Sequence, residues 1–252
     1  PRFADRGGER GEMTLTGLLF FLGCIGGSVI QSVSGFGFAI FCMTFFPLLL
    51  GSYNMAVAVS GLCAATMASF VAIRHRGHIN IRLILPLLAG YYTAFPIGVR
   101  LTLVLPEKLL MRALGAVLIL LSAYFMFLND RLKIRPTILN GVLFGLMGGF
   151  GAGFCSIGGP PAVLFLLAAS HGKEEYRASS QCYFALGNWY GAAVRWYNGL
   201  ITVPVLTAWG AAVAALLIGV TIGGKIFSKI NAATLRRLVY LIMAVSGVKM
   251  LF

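Results

Sequence analysis

Two glycine-containing stretches, SGFG at 34–37 and SIGGPP at 156–161, interrupt long apolar runs of this sequence. Pro160 and Pro161 cannot continue a helix from upstream, but prolines suit the first turn of a new helix. A helix that begins there presents unpaired backbone N–H groups and the positive end of its dipole, which together favour an anion. The chemistry predicted for these stretches is therefore anion binding by main-chain donors.

The predicted anion site has two sides, one from each glycine-containing stretch. Glycine reaches backbone conformations that are closed to other residues. Non-helical backbone at membrane depth is tolerated only where protein or a water-filled cavity satisfies its polar groups. The residues that these stretches contribute to the predicted substrate site are Gln31, Ser34, Gly35, Phe36, Gly37, Ser156, Ile157, Gly158 and Gly159.

Glycine in an apolar helix has a second role, which is to let helices pack closely together. Five glycines at nearly helical spacing precede the second stretch, and for them we favour packing: Gly145, Gly148, Gly149, Gly151 and Gly153. For SIGGPP, which pairs with SGFG across an internal repeat, we favour anion binding.

A polar helix face follows the second stretch. Gln181, Asn188 and Arg195 recur every seventh residue, so they share one face of a helix and complete the predicted site. Arg195 is flanked by Trp196 and Tyr197, which leaves two interpretations open. It is either an interfacial anchor whose charge reaches the membrane surface, or the main cation facing the anion.

The composition is that of a polytopic all-α membrane protein. Hydrophobic residues make up 59% and charged residues 11% of the 252 residues, and the mean hydropathy is +0.89. A soluble domain carries charge on roughly a quarter of its residues. Uncharged runs cover 13–73, 136–170 and 196–224. Because a span needs about 20 apolar residues, these runs are long enough for several crossings.

Charge and cysteine patterns exclude several functions. The net charge of +13 is expected to contact anionic headgroups or attract an anionic solute, so no nucleic-acid partner is predicted. No Asp or Glu lies inside a predicted span, which argues against an intramembrane enzyme, a catalytic residue, a metal site or a cofactor. The five cysteines lack CxxC spacing and are expected to be small buried hydrophobes.

The chain divides into two similar halves. The predicted segments are a leader or tail at 1–12, a first repeat at 13–128, a charged linker at 129–136 and a second repeat at 137–252. Aligning the halves pairs Arg74 with Arg195, and likewise Arg100 with Lys225 and Arg112 with Arg237. Such repeats are common in secondary transporters, whose substrate site lies where the halves meet.

Each half is predicted to contain a broken first element and three helices, giving about eight spans. An unbroken helix over residues 14–50 would be roughly 55 Å long, against a hydrocarbon core of about 30 Å. The first element must therefore bend, re-enter or cross twice, and the halves are either parallel or inverted. The predicted elements are 14–50, 55–73, 83–105, 108–128, 137–170, 177–197, 203–224 and 232–252.

The segments SGFGFAIFCMTFFPLL and CSIGGPPAVLFLL, together with the duplicated halves, resemble the TauE/SafE family of sulfite exporters and organosulfonate permeases. The resemblance covers roughly residues 14–252. In the second half, the family's run of three glycines is reduced to two and is followed by a proline pair. The matching residues are Gly35, Gly37, Pro47, Leu48, Leu49, Gly158, Gly159, Pro160 and Leu164.

The resemblance implies a multi-pass permease of the bacterial inner membrane for a sulfur oxyanion, either sulfite or an organosulfonate such as sulfoacetate. The expected partners are this small anion and the lipid bilayer. An anion channel, or a carrier of another small anion such as a carboxylate, is the alternative. The direction of transport, the coupling ion and the oligomeric state stay open, a homodimer being one option.

Overall fold

The computed structural model describes residues 5–127, 135–226 and 232–251, and every regular element in these ranges is helical. The elements are α1 (Asp5–Ser34), α2 (Phe38–Met43), α3 (Phe46–Leu50), α4 (Tyr53–Arg74), a 3-10 turn η1 (Arg76–His78), α5 (Ile81–Val104), α6 (Glu107–Phe127), α7 (Ile138–Cys155), α8 (Gly159–Ala169), α9 (Lys173–Tyr197), α10 (Val203–Ile226) and α11 (Ala232–Leu251).

Except for α1, which begins at Asp5 and not at residue 14, the helices agree with the predicted elements to within a few residues, and helix breaks occur at 35–37 and 156–158. Part of the predicted leader, residues 5–12, is continuous with α1. Most of the predicted linker lies outside the described residues. Six helices of the described chain, α1, α4, α5, α6, α7 and α10, are long and apolar enough to cross a membrane. The count of eight spans stays a prediction.

The first half begins with a helix hairpin. Gly35 and Gly37 have φ angles of 80° and 111°, in the left-handed region that favours glycine, and they reverse the chain after α1. The following α2 runs back along α1. A side chain on Gly27 would meet the Phe38 ring at 2.9 Å and the Cys42 sulfur at 3.0 Å. The predicted break is thus a reversal of direction.

The second half begins with a similar hairpin, built by different residues. Here the left-handed residue is Ser156, with a φ of 61°, which ends α7. Helix α8 then runs back along α7, because Gly158 lies against Gly148 and the Phe165 ring lies against Gly141. The second break is therefore also a reversal of direction, and the course of each first element through the membrane stays a prediction.

Close glycine contacts hold α7 against α5. A Cβ atom at Gly145, Gly149 or Gly153 would meet the backbone of α5, which confirms packing as their role. Gly148 and Gly151 instead face the returning chain at Gly158 and Ile157. The neighbours in α5 are Leu87, Tyr91 and Phe95, in the same order, so α5 and α7 run parallel.

The helices of the two halves pair across the molecule. The main pairs are α4 with α9, α6 with α11, α1 with α10, and α5 with α7. If each helix is replaced by its equivalent in the other half, the pairs α4–α9 and α6–α11 each map onto themselves. The pairs α1–α10 and α5–α7 map onto each other. One buried cluster joins α1, α2, α4, α6, α10 and α11, and a second joins α5, α7, α8 and α9. The two hairpin tips meet between these clusters.

Candidate anion-binding site

A small cavity of about 40 Å³ lies between the two hairpin tips. Apolar side chains of Ile40, Ala64 and Phe184 form much of its wall. The predicted site residues that line it are Gln31, Phe36, Gly37, Ser156, Ile157, Gly158, Gly159 and Asn188. The structure therefore brings together eight residues from both glycine-containing stretches and from α9.

The first hairpin tip is held by Gln31. Its side-chain oxygen accepts a hydrogen bond of 3.1 Å from the N–H of Phe38, and its backbone oxygen accepts one of 2.8 Å from Gly35. Gln31 is 8% exposed. Its amide thus stabilises the start of α2, a helix of only six residues, while the same side chain forms part of the cavity wall.

The second hairpin tip supplies unpaired main-chain donors. In the described part of the chain, the N–H groups of Gly158 and Gly159 have no acceptor. The expectation that Ile157 is a further donor is wrong, because its N–H donates to the Gly151 oxygen at 3.2 Å. Since α8 starts with Gly159 and two prolines, these two N–H groups form the anion-favouring end of this helix.

The two glycines at the start of α8 differ in what surrounds them. A Cβ on Gly158 would meet the backbone oxygen of Gly148, and the Ala152 Cβ at 2.7 Å. A Cβ on Gly159 would make only ordinary contacts of 3.8 Å, with Phe36 and Phe184. Packing therefore requires glycine at position 158. Position 159 has no steric need for it and borders two residues of the cavity wall.

Arg195 has neither of the positions expected for it. It is 3% exposed, which excludes an interfacial anchor, and it does not line the cavity. Its Nη2 atom donates to the carbonyl oxygens of Ala152 at 2.8 Å and Gly153 at 3.3 Å. The last carbonyls of a helix lack intrahelical donors and favour a cation. Arg195 therefore caps the C-terminus of α7.

The charge of Arg195 lies directly behind the second hairpin tip. A Cβ on Gly61 would be 3.1 Å from Nη1 of Arg195 and 3.7 Å from the Ser156 hydroxyl oxygen. The guanidinium also stacks over the Phe95 ring, 4.8 Å from its centroid. No ion pair with a carboxylate is found for Arg195 among the described residues. Within the described structure, carbonyl dipoles and an aromatic ring are thus the contacts that balance this buried cation.

A second, wider cavity, which we call the vestibule, adjoins the first. Basic side chains of Arg74, His75 and Arg177 line it, and Gln31 lines both cavities. Burial lowers the pKa of His75, and the nearby Arg177 lowers it further. Gln181, expected on the anion site, faces the vestibule instead.

The wall between the vestibule and the inner cavity is fastened by a hydrogen bond. The Gln181 amide donates to the Gly35 oxygen at 2.6 Å, joining α9 to the first hairpin tip. Gly35 itself lines the vestibule. Ser34 ends α1 next to this contact, and its side chain lies outside the described residues.

Sequence reasoning missed Tyr91 and Tyr183, which line the inner cavity. An aromatic residue in an apolar helix is ordinarily part of a core, so the sequence holds no signal that separates these two from the other tyrosines.

Comparison with known protein families identifies a match. The family model described as "Sulfite exporter TauE/SafE" matches residues 19–250, nearly the whole chain. Neither the curated proteins nor the solved structures contain a match.

Proposed function

This chain belongs to the TauE/SafE sulfite exporter family, and on that premise we propose that it carries a small sulfur-containing anion across the bacterial inner membrane. The proposed substrate is sulfite or an organosulfonate such as sulfoacetate. The family is one of transporters, and the six apolar helices agree with a multi-pass membrane protein. The observation that carries the proposal is the free N–H pair of Gly158 and Gly159 in a cavity between two hairpins.

The depth of this N–H pair supports a site near the membrane midplane. Gly158 packs against Gly148, which lies ten residues after the start of α7 at Ile138. Ten helical residues span about 15 Å, which is half of a hydrocarbon core of about 30 Å. In that surrounding an unpaired N–H group is costly, so an anion that accepts from it gains more than it would in water.

The charges around the cavities favour an anion over a cation. Neither the inner cavity nor the vestibule has an Asp or Glu among its described lining residues. The buried charge of Arg195 raises the potential at the hairpin tip, and the vestibule places Arg74, His75 and Arg177 on the way to it. A cleft lined by one sign of charge concentrates solutes of the opposite sign.

Helix directions support inverted halves. Helices α4 and α9 occupy equivalent places in the predicted repeat, and they run antiparallel, since Ser69 bonds to Trp189 while Gly61 lies near Arg195. Equivalent helices that run antiparallel require one half to be inverted relative to the other. Inverted repeats are common in carriers that work by alternating access.

The two arginines paired by the repeat differ in their surroundings, which supports alternating access. Arg74 is exposed on the open vestibule, whereas Arg195 is buried against the carbonyls of Ala152 and Gly153. We infer that the molecule is open on the Arg74 side and closed on the Arg195 side. In the opposite state, Arg195 releases these carbonyls and Arg74 caps the end of α1.

A flux assay with purified protein in liposomes tests this function. Labelled sulfite and sulfoacetate are expected to enter with saturation and to be accelerated by unlabelled anion on the other side. Sulfate, taurine and acetate test selectivity, and a pH gradient tests proton coupling. Flux of sulfur anions without saturation or counter-flow indicates the alternative, an anion channel. Faster flux of acetate indicates a carboxylate carrier, and no flux of any sulfur anion contradicts the proposal.

A further inference from the structure

Tyr183 of α9 lines the inner cavity, and its hydroxyl group is unsatisfied. The residue is 1% exposed, and its hydroxyl oxygen has no hydrogen-bond partner in the described structure. Buried polar groups in native proteins are nearly always hydrogen-bonded, because leaving one unpaired costs free energy. An unsatisfied hydroxyl on a cavity wall therefore needs an explanation.

The Tyr183 hydroxyl lies beside the start of α8. A Cβ on Gly148 would be 3.0 Å from this oxygen and 2.9 Å from the backbone oxygen of Gly158. Because Gly148 has no side chain, the Tyr183 hydroxyl group fits beside it. The hydroxyl, as a donor without an acceptor, is next to the helix end where two N–H groups also lack acceptors.

Two other tyrosines of this protein use their hydroxyl groups structurally. Tyr53 donates to the Phe154 oxygen at 2.9 Å, and Tyr190 donates to the Tyr92 oxygen at 3.0 Å. Tyr190 lies on the same helix as Tyr183, two turns away, and does not line the cavity. The Tyr124 hydroxyl is also buried without a partner in the described structure, but Tyr124, unlike Tyr183, does not line the inner cavity.

We propose that Tyr183 is an anion-binding residue, whose hydroxyl donates a hydrogen bond to one oxygen of a sulfur oxyanion while the Gly158 and Gly159 N–H groups bind another. This inference rests on the proposed function. The hydroxyl is covered in this conformation, so the ring, which already lines the cavity, tilts for the oxygen to reach the anion. Three donors at separate positions suit a ligand with several oxygens, such as sulfite or a sulfonate.

The test compares Tyr183→Phe with Tyr190→Phe in the full-length protein. Each substitution removes one hydroxyl group from α9, but only the second removes an existing hydrogen bond. Sulfite and sulfoacetate are the probes, and the readouts are the dissociation constant, the half-saturation of flux and the melting temperature without anion. Tyr183→Phe is expected to weaken binding at least about tenfold, as for the loss of a hydrogen bond to a charged group.

The melting temperatures separate a binding role from a structural one. Without anion, Tyr183→Phe should melt at or above the wild-type temperature, because the lost hydroxyl has no partner, whereas Tyr190→Phe should melt below it and bind normally. Unchanged affinity of Tyr183→Phe for both probes overturns the inference, as does a loss of affinity in both variants alike. Failure of the wild type to bind or transport either probe contradicts the proposed function itself.

Discussion

The Arg195 guanidinium donates a hydrogen bond of 2.8 Å to the Ala152 carbonyl oxygen, joining the end of α9 to the last turn of α7. This bond makes Arg195 part of the scaffold of the second hairpin tip. It also fixes a buried positive charge behind the cavity wall, since Ala152 itself lines the cavity. Arg195 thus has two effects at the second hairpin tip. It holds the tip in place, and it makes the electrostatic potential there positive, which favours an anion.

Arg195→Ala is expected to destabilise the protein as well as to abolish transport. The substitution leaves the carbonyls of Ala152 and Gly153 without this donor, and a buried acceptor that loses its partner costs about 1 to 3 kcal/mol. The measurement is the melting temperature in detergent together with sulfite flux.

Arg74→Ala is the matched control for Arg195→Ala, because it removes the equivalent charge of the first half from an exposed position. It should leave the melting temperature nearly unchanged, as surface substitutions usually do. If Arg195→Ala melts like the wild type, the guanidinium does not hold the hairpin tip.

The neighbouring glycines at the start of α8 give opposite predictions. Gly159→Ala should fold normally and reduce sulfite affinity roughly tenfold, because its methyl group borders the cavity beside the free N–H groups. Gly158→Ala should instead lower the melting temperature, since its methyl group meets the α7 backbone and overpacking costs about 1 to 3 kcal/mol. Thermal melting and anion titration of the two variants decide this.

A reversed pattern, with Gly158→Ala stable and Gly159→Ala unfolded, would show that the hairpin packs differently from the arrangement described. Normal affinity in a well-folded Gly159→Ala protein would remove the N–H pair of α8 as the anion site.

Glu175 gives a prediction for the dependence of stability on pH. It lies in the first turn of α9, and hydrogen bonds from the Asn80 side chain and from the His171 N–H hold the pKa of its carboxyl below the ordinary value near 4.5. A carboxyl with a lowered pKa in the folded state contributes stability above its unfolded pKa. That contribution is lost as the pH falls through the folded pKa.

Glu175→Gln should therefore lower the melting temperature at about pH 7, and the difference from wild type should shrink below about pH 4. The measurement is thermal melting across this range. Glu174→Gln, one residue away and with a mostly exposed side chain, serves as the control and should show a smaller difference. Equal effects of both variants at neutral pH would mean that the Asn80 contact adds nothing.

The sequence predicts the hairpin tips well because glycine and proline mark them. Breaks at SGFG and SIGGPP follow from backbone chemistry that does not depend on distant residues. The partner of Arg195 does not follow from the sequence, because a long side chain reaches to another helix that periodicity on α9 cannot identify. The burial of Arg195 is not predicted by the sequence either, because the flanking residues Trp196 and Tyr197 are typical of a membrane surface.

The distinct roles of Gly158 and Gly159 are likewise invisible in the sequence. Both belong to one motif, and only the approach of α7 to Gly158 separates packing from cavity wall. The same holds for Tyr183, whose lack of a partner is a property of three helices together. Local signals therefore locate the hairpin tips, and contacts between helices decide which residues there pack and which line the cavity.

Arg177 tests whether the vestibule attracts the substrate. It is exposed and lines the vestibule but not the inner cavity, so its loss should leave the maximal rate unchanged. Arg177→Gln should raise the half-saturation concentration for sulfite a few-fold at low ionic strength. The effect should fade at high salt, because exposed charges are screened within about 8 to 10 Å at physiological ionic strength.

Arg135→Gln, which removes an exposed charge just before α7, is the control and should leave the half-saturation concentration unchanged. An effect of Arg177→Gln that persists at high salt would mean that Arg177 contacts the anion directly, and no effect at any salt concentration would mean that the anion enters by another path.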